Sequence, residues 1–231
     1  MARGSRVRYV DEESCEAFAG TAGALAPVIY VIDSPEHPFD LAPAAGGRAS
    51  AVVRLPVRSW GDSLTPWPAR GLYREEPDFG GKASTTLAEL CREAIPAIER
   101  EKGLSPRRRA ICGYSLGGLF VLYAFARTEV FDACACLSGS VWYEGWVDYL
   151  RALDFDGAGR FAFLSIGSKE KRAAPKILQG VQDDMGQCAQ ILRDHGCEVE
   201  YVVGPGSHMS FYRERLDAGL GALDAFLSRE A

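Results

Sequence analysis

The sequence predicts an α/β fold: a mostly parallel sheet with helices on both faces, forming a single domain over residues 1–231. Three observations carry that expectation. Short apolar runs rich in β-formers recur along the chain, and stretches with helical spacing separate them. Several runs are also apolar without alternation, as in Val28-Ile29-Tyr30-Val31-Ile32, which suits strands covered on both faces. Strand and helix in alternation imply parallel pairing through crossover helices.

Strands are expected at residues 28–32, 51–57, 110–112, 133–137, 161–166 and 199–203, with a weaker one at 6–10. Leu87, Leu90, Cys91, Ala94, Ile95 and Ile98 repeat at helical spacing, with a kink expected at Pro96. An apolar helix is expected over 116–127, directly after a glycine-bounded turn. A further helix over 177–194 places Ile177, Val181, Cys188 and Ile191/Leu192 near one face, and 216–227 forms the last one. Ligand sites in such sheets lie beyond the carboxyl ends of the strands.

Composition narrows the function. The chain is 47% hydrophobic and 25% charged with a net charge of −5, so it has no Lys/Arg surplus for neutralising nucleic-acid phosphates. No apolar run is long enough to span a bilayer, and the first ten residues lack the apolar stretch of a secretory signal. No nucleic-acid or membrane partner is expected, and the expected location is cytoplasmic. Cys15, Cys91, Cys112, Cys134, Cys136, Cys188 and Cys197 are odd in number, which favours reduced thiols used as small apolar residues. Cys134 and Cys136 would share one strand face, but no second Cys/His pair at zinc-like spacing accompanies them, so no metal is expected.

The sharpest chemical signal is Gly113-Tyr114-Ser115-Leu116-Gly117, set between an apolar strand and an apolar helix. A serine on a tight strand-to-helix turn has its hydroxyl lifted above the sheet, and glycines two residues to either side avoid collisions with neighbouring backbone. The Leu116 amide then stands at a helix N-terminus, ready to stabilise an oxyanion.

Such a serine needs a base, and the chain has three histidines. His37 precedes the nucleophile, and His195 ends an amphipathic helix. His208 follows the last expected strand through Gly204-Pro205-Gly206-Ser207, where the α/β-hydrolase order of nucleophile, acid and histidine puts the base. The acid is expected after the penultimate strand, in Gly167-Ser168-Lys169-Glu170-Lys171-Arg172. Glu170 is the carboxylate nearest the strand end; Asp183, Asp184 or no acid at all remain alternatives. A second oxyanion amide is expected from Asp33-Ser34-Pro35-Glu36; Pro35 has no N–H, which leaves Ser34 or Glu36, with Ser34 the candidate. All four tryptophans fall in two loops after strands: Trp60 and Trp67, then Trp142 and Trp146. Trp67, Trp142 and Tyr114 are the candidate substrate contacts.

With these residues placed, the chain resembles the putative-esterase (esterase D-like) branch of the α/β-hydrolases, which includes siderophore and feruloyl esterases. The resemblance runs through Trp60-Gly61-Asp62-Ser63-Leu64-Thr65-Pro66-Trp67, Gly80-Gly81, the Ser115 turn, Leu137-Ser138-Gly139-Ser140-Val141-Trp142 and Gly206-Ser207-His208. It implies a single α/β-hydrolase domain with Ser115 as nucleophile, His208 as base and Glu170 at the acid position. Ser63 stands where the family commonly carries an acidic residue. The implied activity is hydrolysis of a small-molecule carboxylic ester without a cofactor. An acyltransferase using the same acyl-enzyme, and an idle hydrolase fold used for binding, are the alternatives.

Overall fold

In the computed structural model every apolar run expected from residue 28 onward becomes a strand of one sheet. Residues 8–11, 14–18, 24–173 and 175–229 are described. In chain order the elements are β1 (Ala17–Phe18), β2 (Val28–Asp33), α1 (Ala42–Ala45), β3 (Ala51–Pro56), α2 (Trp60–Ser63), β4 (Pro68–Ala69), β5 (Phe79–Gly80) and α3 (Ala83–Glu89). A π turn (Leu90–Ala94) leads into α4 (Ile95–Lys102), followed by β6 (Arg109–Tyr114), α5 (Leu116–Arg127), β7 (Ala133–Leu137), α6 (Trp146–Ala152) and β8 (Phe161–Gly167). Two short 3₁₀ turns, Glu170–Arg172 and Lys176–Gly180, precede α7 (Val181–Asp194), β9 (Glu198–Gly204) and α8 (Tyr212–Leu227).

The sheet order is β1-β3-β2-β6-β7-β8-β9, and only β1 runs antiparallel. Although the central strand runs are largely apolar, the pleat divides them between two cores. Val28, Tyr30 and Ile32 join Ile111, Cys134 and Cys136 in the core covered by α3 to α7. Ile29 and Val31 join Cys112, Ala135 and Leu137 in the core covered by α1 and α8. Each fully buried Leu, Ile or Phe contributes about 1.5–3 kcal/mol, so the sheet holds both helical layers by its alternate residues. No helix among the described residues is long and apolar enough to cross a membrane.

Three differences from the expected elements have physical reasons. The kink expected at Pro96 falls where a π turn over Leu90–Ala94 runs without a break into α4, and the wider turn accommodates a residue that lacks an N–H. The helix expected from 177 begins at Val181; Ile177 is exposed in a 3₁₀ turn. Strand 199–203 forms β9 at the sheet edge, where Val202 and Val203 are exposed rather than covered on both faces. The weak strand at 6–10 lies partly outside the described residues, and Val10 makes a single antiparallel bridge to Val57.

The order places the topological switch point between β2 and β6: the chain leaves β2 toward β3 on one side, and β6 toward β7 on the other. A crevice opens beyond the carboxyl ends of strands at such a point. Ser115 follows β6 and Ser34 follows β2, so both stand at that crevice.

Candidate active site

Ser115 is built on a bend that few non-glycine residues adopt. Its φ of 59° and ψ of −123° lie in a region that costs of order 1–3 kcal/mol and persists only where the surroundings hold it. The Ser115 amide donates to the Leu137 carbonyl (3.1 Å), and the Ser115 carbonyl accepts from Leu119 (3.1 Å) and Ser140 (2.9 Å). Gly113 is required here, because a Cβ would lie 2.4 Å from the Gly117 carbonyl oxygen. Leu116 opens α5, where an amide has no intrahelical acceptor.

The structure brings Ser115, His208 and Glu170 together from the ends of β6, β9 and β8. His208 Nε2 lies 3.1 Å from Ser115 Oγ, and its Nδ1 lies 2.9 Å from Glu170 Oε2. An ionised carboxylate only accepts hydrogen bonds, so Nδ1 carries the proton and Nε2 is left to accept from the serine hydroxyl. The other Glu170 oxygen accepts from the Gly167 amide (2.7 Å) and the Ser138 hydroxyl (2.7 Å). Burial works to raise the Glu170 carboxyl, but the His208 contact and the hydrogen bonds from Gly167 and Ser138 outweigh it. The net direction is below the ordinary value. Asp183 and Asp184 remain on the first turn of α7.

Ser138, Ser140 and Arg215 have no role in the sequence-based expectations, yet each bears on this geometry. Ser138 holds a positive φ of 45° and so turns its hydroxyl onto Glu170. The Ser140 hydroxyl lies 3.5 Å from Ser115 Oγ, at the outer limit of a hydrogen bond. The Ser138-Gly139-Ser140 string after β7 was the available signal. Arg215, on the first turn of α8, is buried, and its guanidinium faces the loop that carries His208. It donates to the carbonyls of Pro205 (3.2 Å), Ser207 (3.0 Å), His208 (3.1 Å) and Ser210 (2.6 Å), and also to the Tyr114 hydroxyl. The Tyr114 hydroxyl in turn donates to the His208 carbonyl. Nothing in a local sequence pattern announces a side chain that binds carbonyls of the loop before its own helix.

Two expected site residues stand differently. The Ser34 amide donates to its neighbour Asp33 Oδ1 (2.9 Å), so in this arrangement it is not free for an oxyanion. Asp33 is fully buried; burial raises its carboxyl to about 6, against the Ser34 and Phe39 amides and the nearby Arg54, which lower it. Trp67 lines neither cleft beside Ser115. Its indole packs edge-on against Tyr149 (5.1 Å) and donates to the Glu144 carbonyl (3.1 Å). Trp142 does line a cleft at Ser115, and Tyr114 lines a second one there. Trp146 is a core residue, and His195 stacks on Phe155 far from this site, with ring centroids 4.3 Å apart. Ser63 is buried and donates to the Arg58 carbonyl.

A seven-stranded, mostly parallel sheet with a bent serine at its switch point defines the α/β-hydrolase fold class. The chain belongs to the family whose model is described as "Putative esterase", which matches residues 22–223. A protein of Bacillus subtilis (strain 168), named "Uncharacterized protein YbbA", is 32% identical over 138 residues. That match spans 58% of this chain and 55% of the relative, so the chain covers little more than half of the relative's length. Among solved structures, an IroE-like serine hydrolase from Shewanella oneidensis superposes with a TM-score of 0.71 at 19% identity, over 87% of this chain and 71% of the other. The siderophore hydrolase EstA from Aspergillus nidulans gives 0.66 at 19% identity, over 90% and 84%. At these identities the two structures establish the shared fold.

Two outcomes follow from this geometry. The Glu170 carboxyl is lowered in the folded state, so it stabilises the fold above its ordinary value of 4.5, and that contribution is lost as pH falls through the folded value. Glu170→Gln should therefore flatten the acid limb of denaturant stability measured from neutral pH down to the carboxylate range. An unchanged acid limb would contradict the assignment. Arg215→Met removes the buried guanidinium that donates to four carbonyls of the His208 loop and should cost about 1–3 kcal/mol of unfolding free energy. It should also slow any reaction that depends on His208, and Arg215→Lys should recover part of both losses.

Proposed function

We propose that this chain is a serine hydrolase that cleaves a small-molecule carboxylic ester through an acyl-enzyme on Ser115. The observation that carries the reading is the His208 imidazole, 3.1 Å from the Ser115 hydroxyl on one side and 2.9 Å from the buried Glu170 carboxylate on the other. Family membership and neighbours named as siderophore and serine hydrolases support it.

Ser115 Oγ attacks the ester carbonyl while its proton passes to His208 Nε2. The new bond displaces the carbonyl π electrons onto oxygen, and the Leu116 amide stabilises that charge. Ser34 would have to release Asp33 to act as a second donor. As the carbon–oxygen bond to the leaving group breaks, His208 returns the proton to it and an alcohol departs. Water then attacks the acyl-enzyme with the same base and releases the acid. Glu170 stays ionised throughout, holding the imidazole in the productive tautomer and stabilising the imidazolium. Seven cysteines outside any disulfide, six of them buried, suit a reducing compartment such as the cytoplasm.

Ser115→Ala should lower hydrolysis of p-nitrophenyl acetate by about 10⁴-fold or more while leaving circular dichroism and thermal midpoint near wild type. Activity that survives this substitution would exclude Ser115 as the nucleophile.

A further inference from the structure

The Ser115–His208 pair stands on a ridge between two clefts. One cleft, of about 280 Å³, is walled by Trp142, Leu178 and Val181. The other, of about 400 Å³, is walled by Phe39, Trp60, Tyr114 and Met209. Among the described residues the two clefts share Ser115 and His208 and no other lining residue.

Gly117, the later glycine of the serine turn, lies against the second cleft. A Cβ there would lie 3.3 Å from Trp60 Cη2 and 3.5 Å from Ile32 Cγ2, so this glycine lets the edge of the Trp60 indole sit close to the turn. Phe39 continues the wall, with its ring centroid 5.8 Å from that of Tyr114.

Each carboxylate lining the two clefts accepts a hydrogen bond within the protein: Glu170 from His208, Ser138 and Gly167; Asp33 from the Ser34 and Phe39 amides; and Glu36 from the Ser34 hydroxyl. Glu36 and His37 are exposed where they line the second cleft. Beyond these groups the walls offer a ligand mainly apolar surface. Ligand pockets run from about 300 Å³ upward, so each cleft suits a ring-sized group and neither is used by a methyl.

Building on the esterase reading, we infer that the substrate is an ester flanked on both sides by uncharged apolar groups of about ring size. One arm lies along Trp60 and the other along Trp142, with the carbonyl held over Ser115. Acetates of large alcohols and methyl esters of large acids each fill half of the site.

The test is a pH-stat comparison of four esters of similar intrinsic reactivity: methyl acetate, methyl 3-phenylpropanoate, 2-phenylethyl acetate and 2-phenylethyl 3-phenylpropanoate. Enlarging either arm should raise kcat/KM by about tenfold or more, and the two gains should multiply in the doubly substituted ester. Trp60→Ala should remove the gain from one arm and Trp142→Ala the gain from the other. Trp60→Phe and Trp142→Phe, which keep a ring on each wall, should retain most of it. A gain from only one arm, or loss of the same gain in both alanine variants, would overturn the two-cleft assignment. If methyl acetate is still hydrolysed and Ser115 still reacts with a small phosphonate, that failure leaves the esterase reading intact. Absence of both hydrolysis and labelling would remove the two together.

Discussion

A serine cannot rest at φ 59° and ψ −123° unless its neighbours hold it there, and much of this fold is arranged around that constraint. The bend is anchored by β7 through the Leu137 carbonyl, by α5 through the Leu119 amide, and by the next loop through the Ser140 amide. These elements meet because β6, α5 and β7 form one crossover unit in which β6 and β7 pair in parallel. The strain is thus distributed over the two central strands and one helix, all of them buried. A hydroxyl held this way is exposed to a ligand while its backbone is fixed from three sides.

Two buried charges then set the position of the imidazole from opposite ends. Glu170 fixes the ring through Nδ1, while its second oxygen is saturated by an amide and a hydroxyl. Arg215 fixes the backbone of the same residue by gathering the carbonyls of its loop. The two side chains form no ion pair with each other among the described residues. Glu170 is satisfied by His208, an amide and a hydroxyl, whereas Arg215 is engaged through its two terminal nitrogens and its buried Nε has no hydrogen-bond partner among the described residues. A buried charge left without partners is expensive, so loss of either set of contacts would be costly. Loop flexibility, which Gly204-Pro205-Gly206 would otherwise confer on His208, is removed by a side chain on the following helix.

Much of the fold was legible because uniform apolarity and helical spacing report burial directly, and these strands are buried. The exposed edge of β9 escaped that logic, since composition does not say which strand ends a sheet. The short pairs β1 and β4–β5 have only two residues per strand and too little pattern to detect. At the site, Ser115, His208 and Glu170 could be read because each follows a strand at a position where α/β topology concentrates chemistry. Arg215 and Ser138 could not, because their effects run through backbone carbonyls and a carboxylate brought near only by folding. Trp67 shows the converse: an aromatic beside a family motif, with a sequence context suited to ligand contact, serves to pack Tyr143 and Tyr149.

The central claim is that the Ser115 hydroxyl is made nucleophilic by the imidazole of His208. The direct measurement is intact-mass and peptide mapping of the protein treated with a fluorophosphonate, timed in wild type and in His208→Asn. The account predicts one adduct, on Ser115, formed about a hundredfold or more faster in wild type than in the variant. No adduct, an adduct on another residue, or equal rates in the two proteins would contradict it.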